Sequence, residues 1–181
     1  MLIRAAALTD AAAIARVHVD SWRTTYAGMV PADYLAKLSY AQREQFWHNI
    51  LANPTPSGCV YVAAHATGEI LGFASGGPER SGDMVYRGEL YAIYLLARYQ
   101  RQGLGRHLTM AVAQRLLQCG LASMLVWVLA ANPGRAFYAA LGGQLVYEKN
   151  VTIGAAQLLE VAYGWPDLHD FLQRLQAVGY C

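Results

Sequence analysis

Apolar positions along this chain recur with two periods, and the switches between them set the order of elements. Residues 2–6, Leu-Ile-Arg-Ala-Ala, read as a short strand. Asp10 then stands before Ala13, Ile14, Val17 and Trp22, whose spacing predicts a helix over roughly 10–21. A loop, Tyr26-Ala-Gly-Met-Val-Pro, leads to short helices at 31–37 and 40–52, ended near Asn53-Pro54. Cys59–His65 and Ile70–Gly76 flank Thr67-Gly68-Glu69 as a β-hairpin. Pro78 to Gly88 is a polar loop, and Glu89–Leu96 is a strand rich in Tyr, Ile and Leu. A helix over about 103–119 carries a stripe of Leu104, Leu108, Ala111, Val112, Leu116 and Cys119. Ser123–Leu129 is apolar throughout after its first residue, as expected of a central strand covered on both faces. Residues 134–141 fit a short helix closed by Gly142-Gly143. Strands at about 144–149 and 156–164 follow, with a turn from Asn150 to Gly154. Pro166 and Asp167 open a last helix running to about Val178. The elements imply one domain, 1–181, built as a mixed sheet with helices on its faces, α/β or α+β by class.

Composition narrows the reading. With 55% hydrophobic and 14% charged residues, the chain is neither disordered nor in need of staples. Its net charge of +2 is too small to argue for nucleic acid or a membrane surface. The distribution says more. All 12 acids lie outside residues 90–147, a stretch that holds Arg98, Arg101, Arg106, Arg115 and Arg135. That pattern is either a solvated basic face or a site for a small polyanion. Cys59, Cys119 and Cys181 have no metal-ligand spacing and are odd in number, which speaks against a disulfide framework and a metal site. Cys119 is expected to pack on its helix, and Cys181 to be exposed. The first residues lack a signal-peptide pattern, and no apolar run approaches the ~20 residues of a membrane span. A reducing, cytoplasmic setting is the expectation.

The segment Gln100-Arg101-Gln102-Gly103-Leu104-Gly105-Arg106 joins an apolar strand to an amphipathic helix. Glycines at a helix start let a backbone approach an anion closely, and the free N–H groups of the first turn point at it. The helix dipole and the neighbouring arginines add favourable charge. The same glycines would equally serve a tight turn alone. A Rossmann site would need a third glycine at His107 or Leu108 and an acid about 20 residues on, and the chain has neither. A P-loop would need Gly-Lys-Ser/Thr, which does not occur.

Gln100-x-x-Gly103-x-Gly105, after the strand Tyr91–Leu95, resembles the acetyl-coenzyme A pyrophosphate loop of the GCN5-related N-acetyltransferase (GNAT) family. Residues 3–26, with Ile3-Arg4, Asp10, Ile14 and Trp22-x-x-x-Tyr26, resemble that family's first strand and helix. Trp127-Val-Leu-x-x-Asn132-Pro-x-Arg135-x-Phe137-Tyr138-x-x-Leu141-Gly142-Gly143 resembles its late strand–helix motif. Ala97 departs from the family, many of whose members have proline there.

The resemblance implies a mostly antiparallel, twisted mixed sheet with helices on both faces. It also implies transfer of an acetyl group from acetyl-coenzyme A, with no metal, to a primary amine by direct attack in a ternary complex. The acceptor would be a small-molecule amine or a peptide amine. Protein N-terminal acetylation and a non-catalytic coenzyme A-binding module are the alternatives, and a homodimer through the last strands is common in such folds. Carried over residue by residue, the backbone of Ile93, Tyr94 and Leu95 would pair with the pantetheine arm, with Gln100 opening the loop beyond it. The N–H groups of Arg101, Gln102, Gly103, Leu104, Gly105 and Arg106 would hold the pyrophosphate. Asn132 would contact the cofactor near a splay between two strands.

Acyl transfer needs a base to take a proton from the ammonium and a donor for the leaving thiolate. Tyr138 matches the family's general acid, and a phenol with a pKa near 10 is protonated at neutral pH; a core tyrosine beside Phe137 is the competing reading. Glu89, the last acid before the acid-free stretch, is the candidate base, against a solvent-facing glutamate paired with Arg87 or Arg80. His65 and His107 are weaker candidates. Trp22 and Tyr26, four apart, present one aromatic face towards an acceptor or towards the core, and Tyr147–Asn150 is the facing region.

Overall fold

The computed structural model describes residues 1–177. Seven strands form one sheet: β1 (Leu2–Ala5), β2 (Cys59–Ala64), β3 (Ile70–Pro78), β4 (Gly88–Leu95), β5 (Met124–Leu129), β6 (Gln144–Ile153) and β7 (Ala156–Trp165). Their order is β1-β2-β3-β4-β5-β7-β6. Every neighbouring pair is antiparallel except β4 with β5.

Two layers of helices cover the sheet because alternate strand residues point to opposite faces. Val62, Ala64, Ile70 and Phe73 form one core with Ile14 and Val17 of α1 (Ala11–Thr25) and Trp47 of α3 (Tyr40–Ala52). Ala63, Leu71 and Ala74 face the other way. They pack with Leu104, Leu108, Val112 and Leu116 of α4 (Leu104–Gln118) and with Phe171 of α6 (Leu168–Ala177). The short α2 (Ala32–Ala36) and α5 (Arg135–Ala140) sit in the connections. β5 is central and almost wholly buried, as its apolar run predicts.

Three expectations are corrected. The first helix runs to Thr25 rather than 21, since its breaker is Gly28 at φ +78°. On α4 the buried face includes Gly105, Thr109 and Ala113, whereas Ala111 and Cys119 are only half-buried. The helix lies between the sheet and α6, which widens and rotates its covered arc, and Thr109 Oγ1 donates to Gly105 O at 2.9 Å. The last hairpin turns at Gly154 (φ +61°), not over 150–154, because Val151 and Ile153 continue the alternation and pair with Leu158 and Ala156. The expected end of α6 at Val178 and the position of Cys181 lie outside the described residues.

Candidate active site

The loop between β4 and α4 is shaped by two residues with positive φ, Arg101 at 60° and Gly103 at 81°. Gly103 is the N-cap of α4, and a left-handed N-cap without side-chain capping leaves the first turn's donors open. Among the described residues, none of the backbone N–H groups from Arg101 to Arg106 has a protein acceptor. Backbone curled in this way can gather successive N–H groups into a concavity suited to an anion, here at the positive end of a 15-residue helix.

The side chains of the loop are placed less uniformly than the sequence implies. Gln100 Nε2 donates to Leu95 O at 3.1 Å and Gln102 Nε2 to Arg98 O at 3.0 Å, so both amides brace the turn. Arg98 is paired with Glu69 at 2.5 Å. Arg106 donates to Leu175 O near the C-terminal end of α6, away from the concavity. Arg101 alone of these arginines is exposed with no protein partner among the described residues. Gly105 serves packing: a Cβ there would lie 3.1 Å from Phe137 Cζ. His107 Nδ1 contacts Gly103 O at 3.0 Å and His65 sits in its own turn beside Thr67, and neither lines the cleft at the sheet opening.

Next to the loop the sheet opens. β4 and β5 pair only at Gly88↔Met124 and Glu89↔Leu125. Beyond Glu89, β4 follows β3 as far as Gly72↔Leu95, while β5 follows β7 as far as Leu129↔Glu160. Leu96 N donates to Leu71 O at 2.9 Å. By the alternation of an antiparallel ladder, the backbone of Tyr94 faces β3 as well, and those of Ile93 and Leu95 face the opening. This corrects the expectation for Tyr94, whose polar backbone atoms belong to the sheet. Its side chain belongs to the site instead.

That side chain is half-buried among rings. Trp22 Nε1 donates to Tyr94 Oη at 2.9 Å, and the His18 ring stacks on Tyr94 at 5.0 Å. Tyr26 packs on Trp22 at 4.8 Å and lies beside the Tyr94 hydroxyl and the Asn132 amide. Burial, then the neighbouring Tyr26, raises the Tyr94 phenol well above its usual value, and burial raises Tyr26. Asn132 is buried, and its Oδ1 accepts from Gly134 N at 2.8 Å, which starts the turn into α5. α5 carries Tyr138, buried against Phe137, Tyr163 and Trp165. Burial and then the nearby Tyr26 push the Tyr138 phenol far up. Tyr138 is therefore a core residue, with the Tyr26 and Tyr94 phenols near its own.

Glu89 closes the vertex of the opening at 2% exposure, not at a solvent-facing strand end. Arg80 clamps it, with Nη2 on Oε1 at 2.5 Å, Nε on Oε2 at 3.0 Å and the backbone N–H on Oε2 at 3.3 Å. The Arg80 guanidinium lies 4.5 Å over the Tyr91 ring. Its loop is pinned by Glu79, whose carboxylate accepts from Ser81 N and Asp83 N, both at 2.8 Å.

A cleft of about 200 Å³ joins these groups, lined by Trp22, Tyr26, Arg80, Glu89, Tyr91, Tyr94 and, from the far side, Trp127, Lys149 and Glu160. Lys149 Nζ lies 3.7 Å over the Trp127 ring and 3.7 Å from Glu160 Oε2. Sequence reasoning missed Glu160 and Trp127 and placed Lys149 only within a region. The signal was present: Lys149 and Glu160 face each other across the hairpin, but only in the register that turns at Gly154. Among the described residues no group of three or more His, Cys, Asp or Glu is placed to hold a metal ion, and no helix is long and apolar enough to cross a membrane.

Comparison with known proteins agrees with this architecture. A sequence model described as the Acetyltransferase (GNAT) family matches residues 16–142. The uncharacterized N-acetyltransferase YuaI of Bacillus subtilis strain 168 is 48% identical over 166 residues, covering 92% of this chain and 93% of that protein. Among solved structures, yncA from Salmonella typhimurium, which holds acetyl-CoA, aligns with a TM-score of 0.70 at 22% identity, over 93% of this chain and 94% of its own. The PaiA N-acetyltransferase of Thermoplasma acidophilum, in complex with coenzyme A, aligns with a TM-score of 0.65 at 21% identity, over 88% and 96%.

Proposed function

The chain belongs to the acetyltransferase (GNAT) family, and from that premise we propose that it transfers the acetyl group of acetyl-coenzyme A to the primary amine of a small molecule, by direct attack. One observation carries the reading: the unpartnered N–H groups from Arg101 to Arg106 lead into the β4–β5 opening, and the opening ends at the aromatic cleft. A phosphate-bearing, extended thioester fits the first two parts, and an amine fits the third.

When bound, acetyl-coenzyme A supplies an acyl carbon open to attack, with a thiolate as leaving group. The N–H groups from Arg101 to Arg106 hold its pyrophosphate, and the backbone of Ile93 and the N–H of Leu95, whose carbonyl already accepts from Gln100, are offered to the pantetheine arm as an added strand. Glu89 takes the proton that the ammonium must lose. An ionised carboxylate has about four acceptor sites, and the Arg80 donors occupy three of them, which leaves one for a water in contact with the amine. The nitrogen then bonds to the acyl carbon as the C–S bond breaks. The second nitrogen proton leaves through solvent, and the sulfur ends as a thiol.

Tyr138 supports the sulfur as it leaves. Its phenol is pushed above a usual pKa of 10, whereas a thiol lies near 8.5. Giving its proton away outright would be uphill, so Tyr138 acts as a fixed hydrogen-bond donor to developing negative charge. The test is free-thiol release from acetyl-coenzyme A with a panel of amines. Amine-dependent release, lost in Tyr138→Phe, is the expected result. A rise in melting temperature with coenzyme A but no thiol release with any amine would favour a binding module instead.

A further inference from the structure

We propose that the acceptor is a small zwitterion of α-amino-acid type, its ammonium held inside the cleft by Glu160 and, through a water, by Glu89, and its acidic group by the cations at the mouth. This rests on the acetyl-transfer reading above and names the substrate class of the same site. The cleft has two ion pairs, one on each side of the opened sheet. In both, the carboxylate lies deeper than the cation. Side-chain exposure is 3% for Glu89 against 64% for Arg80, and 21% for Glu160 against 46% for Lys149.

Both cations are held in place by aromatic rings and keep donors to spare. Arg80 rests on Tyr91 and spends Nε and Nη2 on Glu89, which leaves Nη1 uncommitted. Lys149 rests on Trp127 and meets Glu160 at only 3.7 Å, too long for a strong hydrogen bond. Glu160 Oε1 has no protein partner among the described residues. Negative charge inside and positive charge outside, on walls of Trp22, Tyr26 and Tyr94, form a fixed pattern.

Candidate ligands meet that pattern differently. A diamine brings a second cation against Arg80 and Lys149. A plain anion meets Glu89 and Glu160. A monoamine satisfies the carboxylates and leaves the mouth unused. A zwitterion complements both, and electrostatic complementarity of this kind acts mainly on specificity. The volume, about 200 Å³, is below the ~300–1,000 Å³ of sites for drug-sized ligands, so the ligand is small.

The experiment titrates protein loaded with coenzyme A, by calorimetry, with alanine, leucine and phenylalanine, their methyl esters, their decarboxylated amines and 1,4-diaminobutane. Turnover with acetyl-coenzyme A is read on the same panel. A free amino acid is expected to bind about tenfold or more tighter than its ester, the scale of a charge-assisted hydrogen bond. Lys149→Gln and, separately, Arg80→Gln should shrink that ratio. Lys149→Gln keeps the test open if loss of the Glu89 partner unfolds the second variant. An ester, amine or diamine that binds as tightly as the amino acid overturns the proposal, as does an acid–ester ratio that neither variant changes. Failure of every amino acid to bind overturns it too. Tight amino-acid binding with no thiol release counts against the transfer reading and leaves the charge pattern standing.

Discussion

The two ends of the site are made of different material. The end proposed for the cofactor is backbone: a run of N–H groups from Arg101 to Arg106 and the edge atoms of Ile93 and Leu95, all from one β4–α4 unit. The end proposed for the acceptor is side chains, drawn from α1, the loop before β4, and β4, β5, β6 and β7. A backbone site tolerates many side chains and depends on local conformation. A convergent site depends on each side chain and on the packing that aims it. Substitutions should therefore separate the two ends.

The largest effect is expected at Tyr138. Tyr138→Phe removes only the hydroxyl of a ring packed against Phe137, Tyr163 and Trp165. Turnover should fall by ~10²–10³, the usual loss for one preorganised donor, while the calorimetric affinity for coenzyme A changes little. Equal losses in both would mean that the tyrosine acts through packing. Glu89→Gln comes next. Its turnover should fall by ~10² near pH 7 and recover in part above pH 9, where more of the amine is already neutral. Tyr138→Phe should show no such recovery in the same pH series.

Gly103→Ala sharpens the other side of the comparison. A Cβ there meets nothing nearer than His107 at 3.8 Å, so the cost is conformational, φ +81° being unfavourable for alanine by roughly 1–2 kcal/mol. Coenzyme A affinity should weaken several-fold with turnover at saturation nearly unchanged. Gly105→Ala should instead lower the melting temperature, since its Cβ meets the Phe137 ring.

How far each end was legible follows from the same difference. Gln100-x-x-Gly103-x-Gly105 lies in one stretch, and the glycine at the helix start marks the turn whatever the rest of the chain does. The sequence carried the loop, the strand before it and the helix after it. It did not carry the fate of Arg106, which reaches Leu175 O 69 residues away, nor the backbone direction of Tyr94, which depends on its register with β3. At the acceptor end, Trp22, Tyr26 and Glu89 could be singled out as aromatic and acidic residues in apolar settings. Glu160 and Lys149 could not, because reading the hairpin turn at 150–154 puts them out of register. Arg80 surfaced only as one of two partners for Glu89, since a loop of 79–87 has no period to orient it.

The smallest effect concerns the wall behind the cleft. His18 is buried against Trp22, Trp47, Phe73 and Tyr94, and its Nδ1 accepts from Trp47 Nε1 at 3.2 Å. Burial, with a smaller push from Arg43, lowers its pKa from 6.5 to about 3. The unfolded chain thus binds a proton between these values that the folded chain refuses. Stability present above pH 6.5 should be lost as pH falls towards 3, by up to about one proton's worth of slope, ~1.4 kcal/mol per pH unit. Urea unfolding of the protein and of His18→Phe over pH 7 to 4 should show a shallower decline in the variant.

The division of labour is tested most directly by residue-resolved amide hydrogen exchange with and without coenzyme A. The amides of Ile93, Leu95 and Arg101 to Arg106 should gain protection on binding, while Tyr94, already turned towards β3, should not change. Unchanged exchange from Arg101 to Arg106 in a protein that demonstrably binds coenzyme A would contradict the backbone site.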